Sequence, residues 1–214
     1  VTPEELAEQH PLLYHLTERD AVATIRAHGL WSAAALVRGC GLDTAGENRL
    51  LRRRRERTAR LDHPTFGRIA ISDNDPIHIG PLERCLDDGL TPPDWLEILN
   101  GYVFFWTDEK DAHGLRNARN NRMRNKSLLI FDTFSLVSAY FDNVALCPIN
   151  SGAAKRNAPR RGYSTFASAG EADFRHWRRS RGLATPDKIK EIVVQGGIPD
   201  IERYLCRVSE LDPP

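Results

Sequence analysis

Ile189-Lys190-Glu191-Ile192-Val193-Val194 reads as the clearest β-strand of the chain. Side chains alternate along a strand, so Glu191 shares a face with Ile189 and Val193, while residues 192–194 are apolar on both faces. A strand apolar on both faces is central in its sheet. A carboxylate there is costly to bury unless something holds its charge. The alternative is a solvated Glu191 at the frayed start of the strand, since glutamates are mostly exposed. Both readings stand at this point.

Outward from that strand, helices and strands mix without a regular βαβ alternation. Strands are predicted at 12–17, 68–72, 102–106, 127–132, 144–147 and 204–208, the third being aromatic and β-branched throughout. Helices are predicted at 20–28, with Gly29 as the stop, and at 31–37, 81–87 and 133–139. Further helices are predicted at 92–99, capped by Thr91, at 108–125 with a cationic face, and at 171–181. The arginine-rich stretch around 47–60 reads as a basic insertion, either a surface helix or a mobile loop. Residues 148–170 form a long Gly-, Pro-, Ser- and Asn-rich segment, with 164–167 extended, and loops of that length are usually functional or disordered. The pattern predicts one α+β domain over 1–214 rather than a doubly wound sheet.

Composition sets limits on function. With 214 residues, 41% hydrophobic and 28% charged, the chain has room for one substantial core. No stretch approaches the ~20 apolar residues of a membrane span. The acidic, helical character of residues 1–9 is not that of a signal peptide. Cys40, Cys85, Cys147 and Cys206 are widely spread and contain no C-x-x-C pair, which fits a reducing cytoplasm. The sequence contains no G-x-G-x-x-G after a strand, no Walker loop and no H-E-x-x-H, and its seven histidines never take ligand spacing on one helix. No metal is therefore expected. The net charge of +1 hides three basic zones: Arg52–Arg60, Arg116–Lys126, and a run from Lys155 through Arg161 to Arg181. They read either as solvated helix surface or as a polyanion-binding face.

His15 shares a strand face with Leu13 and Thr17, and a histidine in that setting is either a satisfied core residue or a ligand contact. Tyr102, Phe104 and Trp106 share a face, with a core role as the default. The order of these pieces carries more than any one of them. Tyr14-His15-Leu16-Thr17, a helix, and the turn Gly29-Leu30-Trp31-Ser32 resemble the opening of the DarT-like branch of the ADP-ribosyltransferase superfamily. Tyr102-Val103-Phe104-Phe105-Trp106 resembles the aromatic second motif of those enzymes. Glu191-Ile192-Val193-Val194 followed by Ile198-Pro199-Asp200 resembles their third motif. The order is also similar to that of an uncharacterised bacterial domain family near that branch, which shares the 148–152 and 161–166 segments.

The resemblance implies split antiparallel β-sheets with flanking helices around an NAD cleft. It implies an NAD-dependent mono-ADP-ribosyltransferase that cleaves the nicotinamide–ribose bond and moves ADP-ribose to a nucleic acid base, DNA before RNA. A toxin or phage-defence effector restrained by an antitoxin protein would fit. Glu191 is the expected catalytic carboxylate, bonding the ribose 2′-hydroxyl and stabilising positive charge at the ribosyl centre. His15, with Tyr14 and Thr17 beside it, would contact NAD, and Tyr102 or Phe104 would give nicotinamide a flat wall. Arg54 and Arg119 are candidates for the diphosphate. Arg160, Arg161 and Tyr163 have the cation-plus-aromatic makeup that binds unpaired strands or a flipped base. The alternatives on the same fold are a protein-directed transferase, an NAD glycohydrolase, and a non-catalytic module that binds a nucleotide or nucleic acid.

Overall fold

The computed structural model describes residues 1–118, 120–171 and 189–213. Eleven strands are formed among them: β1 (Leu12–Glu18), β2 (Leu30–Trp31), β3 (Ala59–His63), β4 (Gly67–Ile71), β5 (Tyr102–Trp106), β6 (Lys126–Asp132), β7 (Val144–Cys147), β8 (Ala167–Ser168), β9 (Glu191–Gln195), β10 (Gly197–Ile198) and β11 (Leu205–Leu211). The helices are α1 (Pro3–Gln9), α2 (Val22–His28), α3 (Ala33–Gly39), α4 (Thr44–Leu51), α5 (Ile79–Cys85), α6 (Pro92–Asn100), α7 (Glu109–Arg116) and α8 (Thr133–Tyr140). The fold is α+β with antiparallel sheets.

Seven strands make one antiparallel sheet in the order β11-β6-β1-β5-β9-β7-β8. β9 is central, as its doubly apolar run requires: Ile192 and Val194 are fully buried in the main core with Val103, Phe105, Leu129 and Phe131. Most neighbouring strands share four or more register pairs, but β1 and β5 meet only at Tyr14↔Trp106. The sheet is therefore two halves joined at a narrow seam. Beyond the seam the strands part, and a cavity opens there.

Two small ribbons flank that opening. β10 pairs with β2, Ile198 opposite Leu30. Gly29 makes the approach possible: its φ is +95°, and a Cβ there would lie 2.6 Å from the Pro199 Cα. The second ribbon is the β3–β4 hairpin, packed through Ile69 and Ile71 on α3 and α4.

Several elements differ from the sequence pattern. β3 was hidden by the arginine run, because its short alternation places Arg60 and Asp62 outward and leaves only His63 buried. The 108–125 helix stops at Arg116, where polar side chains take the carbonyls: Asn121 Nδ2 donates to Leu115 O (3.0 Å) and Arg116 Nη1 to Arg122 O (2.9 Å). The 31–37 helix begins later, at Ala33, because Trp31 pairs with Gly197 and Ser32 takes the N-cap. Residues 163–165 form a 3-10 turn, so extension is confined to β8. The predicted helix at 171–181 falls, beyond Glu171, outside the described residues. No helix among the described residues is long and apolar enough to cross a membrane.

Candidate functional site

The opening beside the seam is a cavity of about 610 Å³, a size typical of small-molecule and cofactor sites. His15 and Glu191 both line it. With β5 between their strands, their backbones stand on the order of 10 Å apart. Tyr102, Phe104 and Trp106 alternate with the buried Val103 and Phe105, and so turn toward the cavity instead of the main core. Tyr102 stacks on Phe166 (centroids 4.9 Å apart), which rests in turn on Trp95. These aromatics form a fixed wall.

Glu191 is 2% exposed, so it is not a solvated strand end. It pairs with Trp106 on one side and Cys147 on the other. Ser151 satisfies its carboxylate: the backbone N–H donates to both oxygens (3.2 and 3.3 Å) and the hydroxyl to Oε2 (2.6 Å). Burial pushes the carboxyl from 4.5 up to about 7, against the opposing pull of the Ser151 bonds, Cys147 and the Arg161 charge. It can therefore exchange a proton, or hold its charge, near neutral pH.

His15 fills the seam. Its Nδ1 lies 2.8 Å from the Phe104 carbonyl, where a continued ladder would have brought Leu16. A carbonyl oxygen only accepts, so Nδ1 carries the proton and Nε2 is left as an acceptor. Burial lowers the imidazole pKa, partly offset by the Phe104 bond, which keeps the ring neutral.

Around this centre the arginines sort differently from expectation. Arg54 does not line the cavity: it donates to Ile77 O (2.6 Å) and pairs with Asp75 (2.8 Å) and Glu56 (2.9 Å), which ties its segment down. Arg52 is likewise committed, to Asp94 and Glu97 on α6. The cavity arginines are Arg55, Arg60 and Arg68. Arg55 is anchored to Ser72 O and Asn100 and pushed down to about 10 by burial. Arg60 and Arg68 project from the β3–β4 hairpin, Arg60 within 3.7 Å of Asp20. At the end of the cavity near the hairpin, Phe66 stands between Trp31 and His63, 6.3 and 4.2 Å between ring centroids.

Of the residues predicted from the sequence to contact a ligand, Thr17, Tyr102 and Phe104 line the cavity. Tyr14 does not: it packs with Leu128, Ile130 and Ala112 beneath α7. Arg119 lies outside the described residues. Arg161 cannot be a surface nucleic-acid contact, being 0% exposed. Its Nη1 donates to Ser151 O (3.0 Å), its Nε to Pro159 O (3.1 Å), and its guanidinium lies over Trp95. Arg160 and Tyr163 are exposed, Arg160 paired with Asp87. Of the described residues of the second basic zone, Arg116 is buried on backbone carbonyls, Arg124 and Lys126 share the single carboxylate of Glu18, and Arg122 is exposed. Sequence reasoning missed Ser151 and the hairpin arginines. No spacing marks a serine in Pro148-Ile149-Asn150-Ser151-Gly152 as the partner of a glutamate 40 residues on.

No group of three or more His, Cys, Asp or Glu side chains among the described residues is placed to hold a metal ion. The sequence pattern of a family of unknown function, DUF7002, matches residues 11–205. The chain belongs to that family. Comparison with curated proteins gives no match. The DUF7002 match runs from just before β1 to the first residue of β11, and so includes every side chain that lines the cavity.

Proposed function

We propose that this DUF7002 protein cleaves the nicotinamide–ribose bond of NAD and transfers ADP-ribose to a nucleic acid base. The observation that carries this reading is the placement of Glu191, buried and near-neutral in its titration, in one cavity with the neutral His15. The narrow seam between β1 and β5 supports an ADP-ribosyltransferase-like split of the sheet, with the ligand lying in the split.

The chemistry needs little general acid help, because nicotinamide departs neutral from a cationic ring. The barrier is positive charge at the ribosyl carbon, as in glycoside hydrolysis. In this proposal Glu191, as the carboxylate, accepts from the ribose 2′-hydroxyl and stabilises that charge. His15 Nε2 accepts from a second sugar hydroxyl. Tyr102 and Phe104 give nicotinamide its flat wall. Arg60 and Arg68, in place of Arg54, fork onto the diphosphate.

An acceptor base would have to be unpaired or flipped out to reach the ribose. In this proposal exposed side chains of the kind that bind unpaired strands, Arg53, Arg57 and Tyr163, with Arg160 if it leaves Asp87, would contact it. A toxin or phage-defence role with a restraining antitoxin would follow from that acceptor. Burial of Arg161 and pairing of Arg160 with Asp87 favour a second reading, in which water or a protein side chain takes the ribosyl group.

Incubation with labelled NAD beside single-stranded DNA, duplex DNA, RNA and a protein mixture separates these, with E191A as control. Label on DNA is the expected result. Label on protein, or free nicotinamide without label, selects the second reading, and no turnover of NAD refutes both.

A further inference from the structure

Every polar contact that reaches the Glu191 carboxylate from the long 148–170 segment comes through one residue. Ser151 is fully buried, and it is gripped on both sides. Its N–H and hydroxyl point at Glu191, and its carbonyl accepts from Arg161 Nη1 at 3.0 Å. Arg161 is itself held by Pro159 O, by its own backbone N–H donating to Cys85 O (2.8 Å), and by the Trp95 ring. Its Nη2 has no hydrogen-bond partner among the described residues, so this guanidinium is not placed for a bidentate pair with Glu191. It acts through the Ser151 peptide and through its charge.

We propose that Ser151 is a positioning residue: fixed at its carbonyl by Arg161, it aims the Glu191 carboxylate into the cavity and opposes its protonation. A buried carboxylate with no donors takes up a proton and loses the ability to accept from a sugar hydroxyl. The Ser151 N–H and hydroxyl, together with Cys147, oppose that uptake, and the two Ser151 donors restrict rotation of the glutamate end. Among the described residues, few other titratable groups surround Glu191. Cys147 pairs with it on β7, Cys85 lies beside Arg161, and His15 is neutral across the cavity. Its neighbour Lys190 is engaged with Asp111 (2.6 Å). Among the described residues Arg161 is the cation whose charge acts on Glu191, and its hydrogen bond reaches the carboxylate by way of Ser151. The catalytic part of this inference rests on the NAD reading, while the structural part does not.

Titration of isotope-labelled glutamate carboxyl carbons by NMR tests it, with E191Q identifying the Glu191 signal. S151A is expected to raise the Glu191 midpoint by about one pH unit or more. The acid limb of NAD turnover should move with it, so that kcat at pH 7 falls about fivefold or more while KM hardly changes, because a midpoint already near 7 leaves about half of the carboxyl ionised there. Activity should recover by pH 9, and S151T, which keeps the hydroxyl, should return toward wild type. If S151A does not fold, S151C, a weaker donor of similar size, should shift the midpoint in the same direction. An unmoved midpoint in whichever variant folds, or activity lost equally at every pH, overturns the proposal. A wild-type protein that never cleaves NAD would sink the functional reading, while the NMR midpoint would still decide the role of Ser151.

Discussion

Replacing Glu191 by glutamine keeps the size of the side chain and removes its charge, so it measures directly what burying that carboxylate costs the fold. Burial raises its pKa from 4.5 to about 7, and the side chain is 2% exposed, so solvent screening does not dilute the effect. A gap of roughly 2.5 pH units at about 1.4 kcal/mol each corresponds to about 3 kcal/mol. The sign follows from proton uptake. Between these two pKa values the native state binds more protons than the unfolded chain, so wild-type stability falls as pH rises. The group's favourable contribution is complete below about 4.5 and is lost by the time pH passes about 7. E191Q has no such dependence. Relative to wild type, E191Q should therefore gain most of that ~3 kcal/mol between pH 5 and pH 8.5, or roughly 6–12 °C in Tm for a domain of this size. Urea unfolding of both proteins at the two pH values measures it. A stability difference that stays constant within about 0.5 kcal/mol would show that the carboxylate is not buried and that its chemistry has been misread.

Two further perturbations separate roles within the cavity. H15A removes the imidazole that bridges the seam. It should lower NAD turnover on the order of 100-fold through loss of sugar positioning and lower stability by about 1 kcal/mol through loss of the Phe104 bond, read by nicotinamide release and by melting. R54A and R68A should show opposite signatures: R54A destabilises the fold by about 1–2 kcal/mol without changing NAD affinity, and R68A weakens NAD binding about tenfold or more without changing Tm. Calorimetric titration beside a melt distinguishes them, and a reversed pattern would return the diphosphate to Arg54.

The sequence pattern was most informative where burial dictates residue type. The doubly apolar run 192–194 and the aromatic run 102–106 became central, paired strands, and Thr91 caps α6, its N–H donating to Asp94 at 3.0 Å. The three short motifs meet because β1, β5 and β9 are successive strands and β2 pairs with β10. Charge was poorly legible. An arginine side chain is long enough to turn inward onto carbonyls, as Arg54, Arg55, Arg116 and Arg161 do, and the sequence does not tell that from an exposed cation. β3 escaped because only one of its five residues is buried. Ser151 escaped because its role depends on a contact across 40 residues.

The proposed ligand geometry is tested most directly by the crystal structure of E191Q, slowed in catalysis, grown with NAD. Electron density for the nicotinamide ribose between residue 191 and His15 Nε2, with the diphosphate toward Arg60 and Arg68, is the predicted result. NAD bound outside the opening between β1 and β5, or a cavity that takes up none at saturating concentration, would contradict it.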